Sequence, residues 1–131
     1  MHITIEYSAN VADHHDINAL VAVVHRAALD HGLAALDGLR TRAEQRDHYL
    51  VADGDPDHAF VAIAVRIGPG RTDAAKASFI ETVLDAAEAQ VDTEAGPLAV
   101  MWSIELNEID PTLRINRNHV RTRINARGDA T

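Results

Sequence analysis

Apolar and polar residues alternate from the second residue of the chain onwards. The apolar members of this alternation are Ile3, Ile5 and Tyr7. A period of two is typical of a strand that buries one face, so the pattern predicts a strand over residues 2–8. Apolar residues then recur at helical spacing between a candidate cap, Asp13 or Asp16, and the glycine Gly32. This spacing predicts a helix over about residues 16–31.

The next segment combines apolar residues with arginines, and it indicates a second strand over residues 36–43. Residues 45–52 are expected to continue that strand or to return beside it. The segment 53–56 reads Asp-Gly-Asp-Pro, which is a strong turn signal and closes the first half of the chain.

The second half of the chain repeats this layout. A stretch rich in Val and Ile predicts a strand over His58–Ile67, and Thr72 or Asp73 can cap a helix whose apolar face runs to Val91. Gly96 and Pro97 are expected to end that helix, and an alternation over residues 98–106 predicts the last strand. The chain is therefore interpreted as two successive β-α-β units.

Two such units predict an α/β chain of the two-layer α+β sandwich kind, with two helices on one face of a four-stranded mixed sheet. We expect one domain over residues 1–131, with repeat units at about 1–55 and 56–109. The extension 110–131 is expected to form a short hairpin or strand followed by a frayed end. The second sheet face has no cover within the chain, and apolar strand residues are expected on it. These are Val65, Ile67, Val100 or their neighbours. Such a face predicts self-association into a closed ring.

Composition and charge exclude several classes of protein. The chain has 131 residues and no cysteine, with 20 acidic against 12 basic residues and a net charge of −8. This charge argues against a nucleic-acid partner. No apolar run approaches the roughly 20 residues that span a bilayer, and no signal-like segment opens the chain. A cytoplasmic protein without a membrane partner is therefore expected.

Arginine is the residue type that points to chemistry, because all basic residues except Lys76 are arginines. Arg40 and Arg42 lie two apart on a predicted strand, so both project from one face. Arg71 follows a Gly-Pro-Gly segment at a predicted helix start, where anions are favoured. Two interpretations stay open: surface charges paired with carboxylates, or a pocket for a substrate that carries several carboxylates. The eight histidines have no metal-binding spacing, and no metal site is predicted.

Several short blocks of sequence resemble one known family. They are Ile5–Asn10, Gly38–Ala43, Asp47–Tyr49, Ala52–Gly54, Ala59–Val61, Arg66–Arg71 and Glu108–Leu113. In this order and spacing they resemble the 5-carboxymethyl-2-hydroxymuconate Δ-isomerase family of the tautomerase superfamily. The resemblance covers nearly the whole domain.

This resemblance implies a homotrimer built from two β-α-β units per chain. It also implies an isomerase that converts an unsaturated 2-hydroxy polycarboxylic acid into its oxo isomer without a cofactor or a metal. The family's base is an N-terminal proline, and arginines hold the carboxylates of the substrate. The matching arginines are Arg40 and Arg71, with Arg42 and His2 as further substrate-binding candidates.

The chain departs from the family at the catalytic position, where Met1 stands in place of the proline. Because His2 is bulky, Met1 is expected to be retained, which leaves a primary amine whose ordinary pKa is about 7.7–8. Burial and nearby arginines would lower that pKa towards the working pH of a general base. The thioether side chain is expected to occupy substrate space, and the amine lacks the ring that fixes its direction.

Three hypotheses follow. The first is an isomerase, with full activity or weakened by Met1 in place of the proline, in which Met1, Arg40 and Arg71 are catalytic. The second is an inactive trimeric homologue that binds an anionic metabolite or has a structural role. The third is that the true start codon, or a proline, lies elsewhere in the gene.

Overall fold

The structure is a computed structural model, and it describes residues 1–91 and 96–128. Four strands and three helices follow one another along these residues. They are β1 (His2–Ser8), α1 (Ile17–His31), β2 (Arg40–Arg46), β3 (His58–Ile67), α2 (Asp73–Val91), β4 (Ala99–Glu108) and α3 (His119–Gly128). The residues that precede Gly96, where the sequence predicts the end of the second helix, lie partly outside the described ranges.

The four strands form one sheet in the order β2-β1-β3-β4. The outer pairs β1–β2 and β3–β4 are parallel, and the central pair β1–β3 is antiparallel. Each parallel pair is connected through one long helix, α1 or α2, as a parallel crossover requires. This arrangement confirms the predicted two-layer fold with two β-α-β units.

Helices α1 and α2 cover one face of the sheet, and the core lies between them and the strands. The largest fully buried side chains are Phe79, Ile3, Ile5, Leu20, Ile63, Ile67, Val11, Val24, Val61, Val65, Val83 and Val91. The strand members alternate along β1 and β3, and the helix members recur at helical spacing along α1 and α2. The sequence periods therefore predict the buried faces correctly.

The predicted helix starts are also confirmed. Asp16 Oδ1 accepts a hydrogen bond from the backbone N–H of Ala19 at 3.2 Å, and Thr72 Oγ1 accepts one from Ala75 at 3.1 Å. Gly32 ends α1 with a φ of 91°, a left-handed conformation that glycine adopts without steric cost.

The predicted bounds of the second strand are wrong. Residues Leu36–Gly38 form a 3-10 turn, closed by a hydrogen bond from Gly38 N–H to the Ala35 carbonyl oxygen at 3.1 Å. The strand begins only at Arg40 and continues to Arg46, and the described residues 47–57 form no returning strand. The apolar Leu36 suggests a strand position, but its side chain is 62% exposed.

The sequence predicts Val65, Ile67, Val100 or their neighbours on the uncovered face of the sheet. The structure places only neighbours of these residues on that face. Val65 and Ile67 are buried against the helices, and Val100 lies in contact with the same core. The alternation along β3 starts with a buried Ala59, which sets all odd-numbered positions of the strand towards the helices. The uncovered face carries Phe60 and Met101 among polar residues instead of a continuous apolar surface.

The prediction of a hairpin or strand in the C-terminal extension is wrong, because residues 119–128 form α3. This helix has no buried residue and no apolar stripe that would reveal it. Asn118 caps it, since Asn118 Oδ1 accepts from Arg121 N–H at 2.9 Å. No helix within the ranges 1–91 and 96–128 is long and apolar enough to cross a membrane.

Ser8 is a fully buried polar residue that connects two strands. Its Oγ accepts a hydrogen bond from Phe60 N–H at 2.9 Å and donates one to Asn10 Oδ1 at 2.7 Å. We expect Ser8→Ala to lower the free energy of unfolding by about 1–3 kcal/mol, because the Phe60 N–H loses its buried partner. Urea unfolding at one fixed protein concentration measures this change.

The matched control is Ser78→Ala on the exposed side of α2, where the hydrogen bond of 3.1 Å between Ser78 Oγ and His31 Nε2 is open to solvent. That variant should stay within about 0.5 kcal/mol of the wild type. Equal stabilities of both variants would show that the Ser8 hydrogen bonds contribute nothing net.

Candidate active site

The sheet topology brings the N-terminus, three strand ends and a loop together at one edge. In the sheet register His2 pairs with Arg40 at the start of β2 and with Arg66 near the end of β3. The backbone N–H of Arg40 also donates to the Met1 carbonyl oxygen at 3.1 Å. Residues far apart in the sequence therefore surround the N-terminal amine.

The Met1 amine is held by the 3-10 turn that precedes β2. It donates a hydrogen bond to the Gly38 carbonyl oxygen at 3.0 Å. The Arg40 guanidinium donates through Nη2 to the same oxygen, also at 3.0 Å. One carbonyl group thus fixes both the amine and the nearest guanidinium.

The amine lines a cavity of about 200 Å³, which we call the amine cavity. Its lining residues are Met1, Ala34, Ala35, Gly38, Arg40, Ile67, Gly68, Arg71, Arg114, Asn116 and Arg121. Met1 packs against the hydrophobic core and also lines this cavity. That its thioether chain occupies substrate space stays a prediction.

Burial and positive charge act on the amine in the same direction. Burial is the largest cause that lowers its pKa below the ordinary value of 8.0, followed by the charges of Arg40, Arg114 and Arg71. An ammonium group in this position is repelled by three guanidinium groups, so the neutral amine is favoured.

A second cavity of about 250 Å³, the His2 cavity, adjoins the first. It is lined by His2, Arg40, Arg66, Ile109, Leu113, Arg114, Ile115 and Asn116. Arg42 Nη1 lies 3.2 Å from His2 Nδ1. Because a guanidinium can only donate, Nδ1 accepts and Nε2 carries the proton. Burial, followed by Arg40 and Arg42, lowers the pKa of His2 to about 4, so His2 is neutral at pH 7.

The structure brings together three of the residues that the sequence singles out. Met1, Arg40 and Arg71 line the amine cavity, while His2 lines the adjoining cavity with Arg42 hydrogen-bonded to it. Arg71 is held by the backbone, because its Nη1 donates to the Gly68 carbonyl oxygen at 3.2 Å. The roles of these residues in catalysis and binding stay predictions.

These cavities are also lined by four residues that the sequence pattern does not single out as site residues: Arg66, Arg114, Asn116 and Arg121. Three of them lie in the C-terminal extension, where the density of arginines is the one signal that could have identified them. The helix that follows Arg114 is fastened to the turn before β2. Asn118 Nδ2 donates to the Asp37 carbonyl oxygen at 2.6 Å, and Arg121 Nε lies 2.9 Å from Asp37 Oδ2.

A further cavity, of about 410 Å³, lies on the uncovered face of the sheet. Its lining includes the carboxylates Glu6, Glu44 and Glu105. Like charges repel, so this cavity disfavours an anionic ligand. The candidate site for a carboxylic acid is therefore the cationic edge and not this larger cavity.

Solved structures with the same fold support a specific class of protein. A fused 4-OT described as a symmetric trimer superimposes with a TM-score of 0.66 at 18% identity, over 89% of this chain and 94% of that one. A 5-carboxymethyl-2-hydroxymuconate isomerase from Deinococcus radiodurans R1 gives a TM-score of 0.84 at 25% identity, over 93% and 92% of the two chains. The fold is that of the tautomerase superfamily.

The sequence comparisons identify the family. The profile of the 5-carboxymethyl-2-hydroxymuconate isomerase family matches residues 1–124. The 5-carboxymethyl-2-hydroxymuconate Delta-isomerase of Escherichia coli is 28% identical over 119 residues, which are 91% of this chain and 94% of that protein. The chain therefore belongs to the 5-carboxymethyl-2-hydroxymuconate isomerase family, and the resemblance found in the sequence is confirmed.

The electrostatics of the amine cavity lead to a direct prediction. We expect acetic anhydride to acylate the Met1 α-amine with half-maximal rate at a pH below 8.0, because burial and the three arginines disfavour the ammonium form. Arg71→Gln should move that midpoint upwards, since one of the positive charges that lower the pKa of the amine is removed. Mass spectrometry of the N-terminal peptide measures the labelled fraction.

Arg117→Gln is the control, because Arg117 lies outside the amine cavity and should leave the midpoint unchanged. A wild-type midpoint at or above 8.0 would contradict the prediction.

Proposed function

We propose that this protein is an isomerase that moves a proton within an unsaturated 2-hydroxy polycarboxylic acid of the 5-carboxymethyl-2-hydroxymuconate type, without a cofactor. The observation that carries the proposal is a free α-amine with a lowered pKa in a cavity lined by Arg40, Arg71 and Arg114. Membership of the isomerase family supports the reaction class.

The Met1 amine is the proposed general base. A base works best when its pKa lies near the operating pH, and the lowered pKa increases the fraction of neutral amine there. The guanidinium groups that lower this pKa also oppose the negative charge that develops on the substrate when its proton is removed. The same guanidinium groups therefore lower the pKa of the proposed base and stabilise the negatively charged intermediate.

A hydrogen bond and strand pairing orient the Met1 amine, which has no proline ring. The hydrogen bond to Gly38 uses one N–H of Met1, and the pairing with Arg40 holds the Met1 carbonyl group. A neutral amine that keeps one N–H on Gly38 still has a free lone pair. Positioning of this kind matters, because a displacement of about 1 Å can cost on the order of a hundredfold in rate.

Arg40 and Arg71 are the proposed carboxylate-binding residues of the amine cavity. Each guanidinium can bind a carboxylate with two parallel hydrogen bonds. In the adjoining cavity Arg42 holds His2 Nδ1, so that the Nε2 proton of His2 is available to a substrate oxygen.

The proposed reaction shifts one proton and the conjugated double bonds. The Met1 amine takes the proton of the 2-hydroxyl group, and the C2–O bond gains double-bond character as a dienolate forms. The resulting ammonium then returns the proton to a carbon of the conjugated chain, which gives the 2-oxo isomer. Atoms and electrons balance within the substrate, and the amine is regenerated.

We expect Met1→Pro, produced with an initiator Met that the cell removes, to raise kcat/KM for a 2-hydroxymuconate-type acid. The proline ring fixes φ and aims the nitrogen, while the neighbouring arginines are unchanged. A tenfold increase corresponds to about 1.4 kcal/mol of the barrier. For both proteins the rate should rise with pH through the amine pKa, because only the neutral amine accepts a proton.

The assay follows ketonisation by ultraviolet absorbance, after mass spectrometry has established the N-terminus of each protein. N-acetylation of Met1 is the negative control, since the acylated nitrogen cannot accept the proton. A folded, correctly processed Met1→Pro variant without activity would contradict the isomerase proposal and favour an inactive homologue that binds an anion or has a structural role.

We also propose that the protein assembles as a homotrimer. The sheet face opposite α1 and α2 has no cover from the described parts of this chain, and it carries the exposed Met101 at 59% accessibility. A structural neighbour with the same fold is a symmetric trimer. Closed rings of this kind cover such a face without leaving an open end.

We expect light scattering at micromolar concentration to give a mass of three times the 14.2 kDa chain mass. The reason is the burial of the uncovered sheet face between copies. Met101→Lys places a charge on that face and should lower the mass, whereas Ser78→Lys on the helix side should not. A wild-type mass of one chain would exclude the trimer.

A further inference from the structure

The chain has two amino groups, the α-amine of Met1 and the side-chain amine of Lys76, and the first of them lies in a cationic cavity. We propose that the Met1 amine is a site of reversible carbamate formation with dissolved carbon dioxide, and that Arg40, Arg71 and Arg114 hold the carbamate anion. This inference shares with the proposed function the free α-amine of Met1, and it names a regulator of that site.

The reaction needs a neutral amine and no other reactant besides carbon dioxide. The nitrogen lone pair attacks the carbon of carbon dioxide, an N–C bond forms, and one electron pair of a C=O bond moves onto oxygen. The nitrogen then releases one proton to water, so the neutral amine becomes an anionic carbamate. Because an ammonium group has no lone pair, the burial and the positive charges that lower the pKa of the Met1 amine make the reactive form available.

The surroundings of Lys76 oppose the same reaction at the other amine. Lys76 Nζ lies 2.7 Å from Glu108 Oε1 and 3.1 Å from Asp73 Oδ1. Hydrogen bonds to these two carboxylates raise the pKa of Lys76 above its ordinary value of 10.5, so its ammonium form persists at neutral pH. A carbamate there would also place an anion between two carboxylates. Of the two amines, Met1 alone is therefore suited to the reaction.

Guanidinium groups surround the amine where the carbamate anion would form. Arg40 Nη2 and the Met1 amine donate to the same Gly38 carbonyl oxygen, each at 3.0 Å, so this guanidinium lies within two hydrogen-bond lengths of the reacting nitrogen. Arg71 and Arg114 line the same cavity, and Arg114 has no hydrogen-bond or ion-pair partner among the described residues. No acidic residue of the described ranges lines this cavity. Guanidinium groups bind a planar carboxylate-like anion through paired N–H donors, which stabilises the product.

A primary amine keeps its anchor during this reaction. The carbamate nitrogen of Met1 retains one N–H, and this N–H can stay on the Gly38 carbonyl oxygen. A proline nitrogen in the same position would retain none, so its carbamate would lose the hydrogen bond. The addition is also small, because carbon dioxide brings three atoms into a cavity of about 200 Å³. Sites for drug-sized ligands are larger, at about 300–1,000 Å³.

The carbamate inactivates the proposed base. Its nitrogen lone pair is delocalised into the carboxylate group and cannot accept a proton. The anion also occupies Arg40 and Arg71, the residues proposed to bind the carboxylates of the substrate. Carbon dioxide therefore acts as a reversible inhibitor of the proposed isomerisation, and removal of carbon dioxide restores the amine.

The test uses the wild type and Lys76→Arg, which keeps a positive charge beside Glu108 and Asp73 but leaves Met1 as the only amine. ¹³C NMR in labelled bicarbonate, in equilibrium with carbon dioxide, detects the carbamate. We expect one carbamate resonance in both proteins. Alkylation with triethyloxonium makes the carbamate stable, and mass spectrometry should locate it on the N-terminal peptide.

Arg114→Gln and Arg71→Gln should each lower the association constant for carbon dioxide by about tenfold, because each removes a charged hydrogen-bond donor from the anion. Each also removes a positive charge that favours the neutral amine. Arg117→Gln is the matched control, since Arg117 lies outside the amine cavity, and it should leave the association constant unchanged.

Three results would overturn the carbamate site. They are no carbamate resonance in the wild type, a resonance that Lys76→Arg abolishes, or a resonance that neither Arg114→Gln nor Arg71→Gln weakens. These measurements need no turnover, so they separate this inference from the proposed function. Turnover without a carbamate resonance removes only the carbamate site. A carbamate at Met1 that leaves turnover unchanged, relative to chloride at the same ionic strength, removes only the role of Met1 as the base.

Discussion

The carbonyl oxygen of Gly38 accepts hydrogen bonds from the Met1 amine and from the Arg40 guanidinium, and the geometry of the candidate site depends on this shared acceptor. Gly38 ends the 3-10 turn that leads into β2. That turn is fixed on one side by the parallel pairing of β1 with β2 and on the other by the contacts of Asp37 with α3. The β1–β2 pairing, the C-terminal extension and the N-terminal amine therefore all depend on this one turn. A change in any of them moves the amine relative to the arginines.

The distribution of charge follows from this geometry. The chain has an excess of acidic residues, yet Arg40, Arg71 and Arg114 converge on the amine, and no carboxylate from the described residues lines either cationic cavity. The carboxylates on the sheet lie around another cavity, further along the strands. Keeping guanidinium groups together without acidic partners costs free energy through mutual repulsion. Burial, followed by the charges of Arg114 and Arg42, lowers the pKa of Arg40. A bound polyanion would relieve it, so the same repulsion favours binding.

The sequence predicts the fold well because most of the fold is encoded locally. The period of two in β1 and β3, the caps Asp16 and Thr72 and the glycine Gly32 each act within a few residues. It predicts less of the site, because the site is made by long-range register. That Arg66 lies beside His2 follows only from the antiparallel pairing of β1 with β3. Arg114 lies in the cavities because the segment after it is bound to Asp37 by the side chains of Asn118 and Arg121, which are 81 and 84 residues away in the sequence. The helix in this segment is polar, so hydrophobic periodicity does not predict it.

In the proposed isomerase, Met1 in place of the proline that the resemblance implies changes the kind of constraint on the proposed base and not its location. A proline ring restricts the nitrogen covalently, whereas here a hydrogen bond of 3.0 Å and strand pairing restrict it. Such a hydrogen bond contributes only about 0.5–1.5 kcal/mol net, so the amine can leave its position for a fraction of the time. Fraying at the end of a strand is local and leaves the core between the sheet and the helices intact. Without the ring, the proposed base should therefore be aligned with its substrate for a smaller fraction of the time. The stability of the fold rests on the buried faces of β1, β3, α1 and α2 and is unaffected.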